Sequence, residues 1–464
     1  MGVVRPRSGL RYLPSLLSPN DYFYYPPGAI TTLAAYTNRH SATILTEYDP
    51  ACIKGLYKYL RKFVVHPVPY TRREYCDSIV DSGKRKYYND YAAALEDGSS
   101  RVRHHITAFT KVEKVGTNKY KAPRLIQARH VTFNIDYGKY IKRLETVVTK
   151  QGKYRHRFGK GNYDQIARNF AKCAGRFKYT TEVDHSVFDA HVTVEMLELT
   201  HKFYKACYPR AGELHRLFKR TINNNVRTFN GERWRVRGTR MSGDVDTSLG
   251  NSLINYALLS GILHECGVHV FDIIVNGDDS VIFSNVPIPT EKFIKIAKKY
   301  NMESKAQPST DNIHTTEFCR TKYVIKPDGT PTMFYNPERA IKIFGMHYRH
   351  TEDDDSFLFQ TAYANSIMQS NTMIGQYWFQ LSEFIASSRD VKTKDLSYLT
   401  RDETIRLHEF GPAQEWNEFT QSMYMAWGDE IIYFLNNIHK LLCNGTTPLR
   451  FIIDHMAKTI TYQS

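Results

Sequence analysis

The stretch "IIVNGDDSVIF", residues 273–283, sets two adjacent carboxylates, Asp278 and Asp279, behind Asn276-Gly277 and between two β-branched apolar runs. Asn-Gly flanked by alternating apolar residues is a strong hairpin signal, because both residues enter φ > 0 at little cost. One reading is a solvated turn, where Asp is common and its charge is harmless. The other is a metal site, where the two charges repel until a divalent cation neutralises them. Average composition yields Gly-Asp-Asp by chance in about one chain in ten of this length. The remainder of the chain therefore has to choose between the two.

The chain has 464 residues, enough for a sizeable core and two or three subdomains. Its 42% hydrophobic and 24% charged residues are ordinary for a folded protein and argue against wholesale disorder. The charge balance is less ordinary: 63 Lys+Arg against 47 Asp+Glu leaves +16. Such an excess suits a polyanion, either nucleic acid or an anionic membrane. It is spread along the chain, which favours a folded groove over a basic tail. The seven cysteines form no C-x-x-C pair, so neither zinc nor a disulfide framework is expected, and a reducing compartment is. No signal peptide and no apolar run of about 18 residues is seen, so a membrane span is not expected. Met1-Gly2 is followed at position six by Pro6, where myristoylation prefers Ser or Thr, so the N-terminus reads as unlipidated.

Along the chain, residues 1–50 are rich in Tyr and Pro and read as an irregular extension. Short helices with basic stretches follow to about 105. Residues 108–130, "AFTKVEKVGTNKYKAPRLIQARH", read as strand, turn, strand with a cation every few positions. A strand is expected over 178–184, a helix over 192–207, a basic strand over 231–238 and a helix from Thr247 to Leu263. The opening hairpin comes next, then a helix near 290–300, and from about 357 the pattern is mostly helical.

A second carboxylate pair lies in "EVDHSVFDAHV", with Asp184 closing a strand and Asp189 five positions on. Asp184 projects past the sheet edge toward the hairpin tip, and Asp189 can face the same cleft from beyond the turn. The plainer alternative is an acid meeting the dipole of the following helix. A third group is "RMSGDVDTSLGNSLINY", residues 240–256, where Thr247, Asn251 and Asn255 share one helix face behind the Ser242-Gly243 turn. Such a polar row on an apolar helix suits sugar hydroxyls; simple capping is the alternative. The fourth group is the cation ladder Lys111, Lys114, Lys119, Lys121, Arg124 and Arg129. "KAPRLI" holds Arg124 between a proline and apolar residues, and cations held near carboxylate-bound metals are what a triphosphate requires. A solvated basic face is the bland reading of the same run.

Together, "KVEK…KAPRLIQAR", "DHSVFD", "SGDVDTSLGN" and "GDD", in that order, resemble the fingers and palm of viral RNA-directed RNA polymerases. "SKAQPS", with Lys305, and "EFCRTKYV", residues 317–324, resemble that family's fourth and fifth palm motifs. "DSGKRKYYNDYAAAL" before "AFTKVEK" is similar to the tombusvirus-like group of positive-strand RNA viruses. The traceable resemblance runs from about residue 77 to 325.

The resemblance implies an α+β right-hand polymerase in a closed fist. The palm carries a small antiparallel sheet and the thumb is helical. It implies a bridging extension over 1–70, fingers over 71–178 and 208–236, palm over 179–207 and 237–336, and thumb over 337–464. It implies nucleotidyl transfer by two Mg2+ ions, with Mn2+ as a substitute, held by Asp184 and Asp278 with Asp279 weaker. Asp189, Asn251, Ser242 and Thr247 then engage the ribose 2′-hydroxyl, with Gly243 among the nucleotide contacts. Lys111, Lys114, Lys121, Arg124 and Arg129 line nucleotide entry, Arg124 foremost, and Lys305 protonates the leaving pyrophosphate. Partners are template and product RNA, NTPs, and other viral or host replication proteins. The expected location is the host cytoplasm, with recruitment to membrane-associated replication sites by another protein or by the basic surface. No methyltransferase, helicase or protease signature accompanies the motifs, which leads us to expect a polymerase subunit alone. A reverse transcriptase and an RNA-binding replication factor with structural acids are the competing readings. Asp189 and the glycine before Asp278 argue against the first.

Overall fold

The computed structural model describes residues 12–25, 28–39, 42–348, 354–389 and 421–441. Most of the helical region expected beyond residue 389, Cys443 and residues 1–11 lie outside these. Thirteen strands form four sheets among the described residues. The central one has β5 (Tyr179–His185), β8 (Phe271–Asn276), β9 (Asp279–Ser284) and β10 (Ser304–Ala306), in the order β10-β5-β9-β8 and antiparallel throughout.

The apolar run that opened the sequence analysis is explained by this sheet being covered on both faces. Ile273, Val275 and Ile282 share a core with Leu249, Leu253 and Ile254 of the Thr247–Glu265 helix. Ile274, Val281 and Phe283 pack on the other side with Phe170, Tyr323 and Met333. The period-2 alternation of a strand sends neighbours to opposite cores, so no polar stripe interrupts the sequence. The helix behind the sheet is buried from Leu249 through Leu263, which is why its pattern is apolar nearly all round.

A second sheet, β4-β2-β6-β7, is built from β2 (Ile106–Thr110), β4 (Leu125–Arg129), β6 (Asn223–Thr228) and β7 (Arg233–Arg237). A third is the meander β11 (Glu317–Phe318), β12 (Thr321–Ile325) and β13 (Pro331–Tyr335). The expected strands at 108–130, 178–184 and 231–238 are present, as is the hairpin. The helices at 192–207, 247–263 and 290–300 appear as Val194–Cys207, Thr247–Glu265 and Thr290–Ala297.

The N-terminal stretch departs from expectation, since Ala29–Arg39 is a helix. The described part of that stretch also ties two regions together. β1 (Tyr22–Phe23) pairs with β3 (Val115–Gly116), while Leu13 and Leu16 donate backbone bonds to His347 and Phe344. Arg339 Nη1 donates to Tyr22 Oη at 3.0 Å, and Lys342 lies 3.6 Å from the Asp21 carboxylate. A separate apolar core joins β12 and β13 to the Met373–Arg389 and Gln421–Leu441 helices through Phe334, Trp378, Trp427 and Phe434. Among the described residues no helix is long and apolar enough to cross a membrane.

Candidate active site

The register of the central sheet brings the acids together. Val183 pairs with Ser280, so the next rung sets Asp184 opposite Asp279, and Lys305 is the direct partner of Asp184 on the other side. Residues directly opposite one another across neighbouring strands project to the same face. Asp184, Asp279 and Lys305 therefore share the cleft face, and all three are exposed. Asp278 sits in the turn between Asn276 and Asp279, beside Gly277 at φ +60°. There a side chain would be strained, which is what the Asn-Gly dipeptide supplies.

The electrostatics record the same convergence. Although the Asp279 side chain opens to solvent on the cleft face, the packed residues around it strip water from its carboxyl and raise it to about 6, with Asp278 and Asp184 adding repulsion. Asp278 is also raised, first by burial and further by Asp184, against the pull of Arg124. Asp189 is pushed up to about 6, chiefly by burial. The Asn251 hydrogen bond, Arg240 and Arg124 oppose that rise, while Asp278 adds to it. An all-oxygen set of mutually repelling carboxylates fits a hard divalent cation.

Asp189 is positioned from the helix. Asn251 Nδ2 donates to Asp189 Oδ1 at 2.8 Å, and Arg240 Nε donates to Asn251 Oδ1 at 2.9 Å, so the amide has one orientation. Arg240 is buried and pairs with Asp246 at 3.1 Å, which also accepts from Tyr137 and Tyr204 at 3.1 Å each. Gly250 makes room for this, since a Cβ there would meet the Arg240 guanidinium at 2.2 Å.

Other expected contacts have different roles. Arg129 is a correction: it is a buried strut rather than a nucleotide contact. Its Nε and Nη2 bond Asp244 at 2.9 Å each, Nη2 reaches Asn224 at 2.9 Å, and Nη1 bonds the carbonyls of His104 and Arg220. All five guanidinium donors are used, leaving none for a ligand. The Ser242 hydroxyl donates to Leu125 O and accepts from Gln127 N, tying its loop to β4. The Thr247 hydroxyl is engaged by the carbonyls of Met241, Ser242 and Asp244. Both shape the loop in this conformation instead of turning a hydroxyl proton to a sugar. Gly243 lets that loop touch the strand, because a Cβ would meet Ala128 Cα and Gln127 O at 2.7 Å.

Arg124 is half-exposed, 3.4 Å from Glu113, and close enough to influence both Asp278 and Asp189. Lys111 lies 3.7 Å from the same Glu113, Lys114 is partly buried, and Lys121 is exposed. Lys111 and Lys114 sit on the β2–β3 connection, and Lys121 and Arg124 on the β3–β4 connection.

Sequence reasoning passed over several neighbours of the turn. Ser252 Oγ accepts from Gly277 N at 2.8 Å, and Gly159 N donates to Val275 O at 2.7 Å. The same loop carries Lys160, which bonds Ser248. The Gly-flanked lysine in "FGKGN" was the available signal. At the β11–β12 tip, Cys319 and Arg320 both have positive φ, 50° and 61°. Cys319 Sγ points to Asp279 Oδ2 at 3.5 Å. Two non-glycine residues in that region carry strain of the kind found at functional sites.

One His/Cys/Asp cluster, which the cysteine spacing did not signal, is present among the described residues. His156, Cys173 and Asp272 gather their ligand atoms within 4.8 Å, all buried. Arg157 Nε already lies 2.6 Å from Asp272, and His156 Nε2 3.0 Å. Burial would raise Asp272, yet these two partners hold it down to about 2. A guanidinium at that distance opposes a second cation, so the cluster reads as an internal ion pair.

Comparison with known proteins agrees with this geometry. A family model described as viral RNA dependent RNA polymerase matches residues 45–405, more than three quarters of the chain. The chain is 34% identical over 188 residues to the RNA-directed RNA polymerase of tomato bushy stunt virus (strain Cherry), covering 38% of this chain and 23% of that protein. It is 30% identical over 236 residues to that of cucumber necrosis virus, 47% of this chain and 28% of the relative. Against the RNA-directed RNA polymerase of tobacco necrosis virus (strain D), identity is 28% over 382 residues, 75% of this chain and 50% of the relative. The matches thus span between about a quarter and a half of the length of these relatives. With the acids, the helix Asn and the basic strand in one cleft, the chain belongs to the family of viral RNA-dependent RNA polymerases.

Proposed function

We propose that this chain copies RNA into RNA, joining the α-phosphate of an incoming NTP to an RNA 3′-hydroxyl with loss of pyrophosphate, and so replicates a positive-strand viral genome. One observation carries the reading: Asp184, Asp278 and Asp279 meet in a cleft that also holds the Asp189–Asn251 pair. Asp184 and Asp278 would hold two Mg2+ ions, or Mn2+ in their place, with Asp279 as a weaker ligand. When bound, the ions supply charge to stabilise the attacking and leaving oxygens.

The chain's own groups do the rest. Asn251 fixes Asp189 so that its carboxylate meets a ribose 2′-hydroxyl, and a deoxy sugar leaves that group unpaired. Arg124 grips the triphosphate, with Lys111, Lys114 and Lys121 lining the entry. Lys305, on the rung beside Asp184, donates a proton to pyrophosphate. The remaining positive charge follows the template and product backbones with little sequence preference.

For the architecture we propose a right hand with the boundaries given above. The central sheet serves as palm, the β4-β2-β6-β7 sheet as part of the fingers, and the helices beyond 337 as thumb. The tie from Leu13–Phe23 to β3 on one side and Phe344–His347 on the other supports a brace between fingers and thumb. The place of work we propose is the host cytoplasm at membrane-associated replication sites, alongside other viral or host replication proteins.

Magnesium-dependent primer extension, with wild type and Asp184→Ala side by side on one RNA template, tests the reading. Extension by NTPs, weak use of dNTPs and a loss of at least about a thousandfold in the variant are expected. Equal extension by both proteins would contradict it, and a preference for dNTPs would move the assignment to a reverse transcriptase.

A further inference from the structure

The strand that presents Asp184 turns the next residue, His185, to the opposite face, where it is buried against the Thr247–Glu265 helix. Its Nδ1 lies 2.7 Å from Ser304 Oγ and its Nε2 2.9 Å from Asn255 Oδ1. Asn255, fully buried, reaches Gly277 O at 3.2 Å and Asp278 O at 3.1 Å through Nδ2. The direction of this chain follows from donor chemistry. Peptide carbonyls only accept, so the Asn255 atom between two of them is the amide nitrogen. Its oxygen then faces the ring, and the ring nitrogen there must donate. The proton is on Nε2, and Nδ1 accepts from the Ser304 hydroxyl.

We infer that His185 is a positioning residue that acts through Asn255 to aim the Gly277–Asp278 turn, and with it the Asp278 carboxylate. The chain links β10, β5, the Thr247–Glu265 helix and the hairpin tip. Two side chains of this one helix hold the turn at three backbone groups, since the Gly277 N–H is taken by Ser252 and the two carbonyls by Asn255. Without the ring donor, the Asn255 oxygen is buried and unpaired, and the amide gains by rotating away from the carbonyls. The consequence for catalysis rests on Asp278 being a cation ligand, as proposed above.

The test compares His185→Gln, which sets an amide N–H near the Nε2 position, with His185→Leu, which fills the space without a donor. Primer extension and melting temperature are measured on the full chain. His185→Leu is expected to lose about ten- to a hundredfold in kcat and to need several-fold more Mg2+ for half-maximal rate. His185→Gln recovers most of the rate, NTP KM moves less than about twofold in either, and His185→Leu melts somewhat below His185→Gln because its Asn255 oxygen is left unpaired, both staying folded at the assay temperature. Equal losses in both variants, or a wild-type rate in His185→Leu, would overturn the inference. A spectroscopic measurement carries the test even where His185→Leu does not fold. The ring 15N shifts of His185, assigned by their absence in His185→Gln, should report Nε2–H with bare Nδ1. A ring protonated at Nδ1 also overturns the inference. Asp278→Ala separates the two layers: if it still extends primers, the cation-ligand reading fails whatever the tautomer.

Discussion

Arg124 and Arg129 lie five positions apart on one basic segment, yet substitution should give opposite results. Arg129→Met removes five hydrogen bonds and leaves Asp244, nearly as buried, without its ion-pair partner. Breaking a buried pair from one side costs about 3–5 kcal/mol. At about 2–4 °C per kcal/mol for a unit of this size, the melting temperature falls by roughly 6 °C or more. Arg124 has a side chain 54% exposed and one ion pair at 3.4 Å, worth at most about 1 kcal/mol after solvent screening. Its loss should barely move the melting temperature. It should raise NTP KM about tenfold or more, the effect of one charge-assisted contact. Differential scanning fluorimetry and steady-state extension on both variants give the four numbers. Arg129→Met/Asp244→Leu serves as a control, since removing both charges should recover much of the stability. An Arg129→Met protein that melts like wild type but binds NTPs poorly would refute the strut and restore the nucleotide contact.

Further outcomes are expected. Gly243→Ala sets a Cβ 2.7 Å from two backbone atoms of β4, which must separate. A cost of about 1–3 kcal/mol and at least a tenfold fall in kcat/KM are expected by thermal melting and extension. Asn251→Ala frees Asp189 and leaves the Arg240 Nε without its acceptor, so NTP-over-dNTP selectivity should fall about ten- to a hundredfold in competition assays. The Asp279 and Asp189 carboxyls, raised to about 6, are partly protonated there, and cation binding should expel those protons. Apparent Mg2+ affinity therefore rises with pH and levels off above that value. Calorimetry in buffers of different ionisation enthalpy should find proton release near pH 6 and little at pH 8. The sign for metal-free stability is opposite. The folded state binds more protons than the unfolded state between the ordinary Asp value and about 6, so these two groups lower stability as pH rises through that window.

The acids were legible because a hairpin tip and a strand end are local features, and four motifs in order outweigh chance for any one of them. Asp189–Asn251 was legible for the same reason. Arg129 was not, because its partners Asp244 and Asn224 are 115 and 95 positions away and nothing near it in sequence distinguishes it from Arg124. The Ser242 and Thr247 hydroxyls were read toward the ligand, although the tight loop that Gly243 permits turns them onto backbone. The Val131–Thr146 helix carries eleven buried residues, polar ones among them, which weakens the amphipathic period that reveals helices. The Ala29–Arg39 helix follows a Tyr- and Pro-rich stretch that gave no period of its own. Long-range pairing decided Arg129, whereas the Thr247 hydroxyl was taken by carbonyls only three to six residues away.

The central claim is that Asp184 and Asp278 jointly hold the catalytic cations. Its most direct test is anomalous diffraction from crystals of the chain grown with Mn2+, primed template and a non-hydrolysable NTP. Two peaks are predicted within coordination distance of the Asp184 and Asp278 carboxylates, both lost in Asp184→Asn. Peaks elsewhere, for example at the His156–Asp272 pair with the Asp184 cleft empty, would contradict the account.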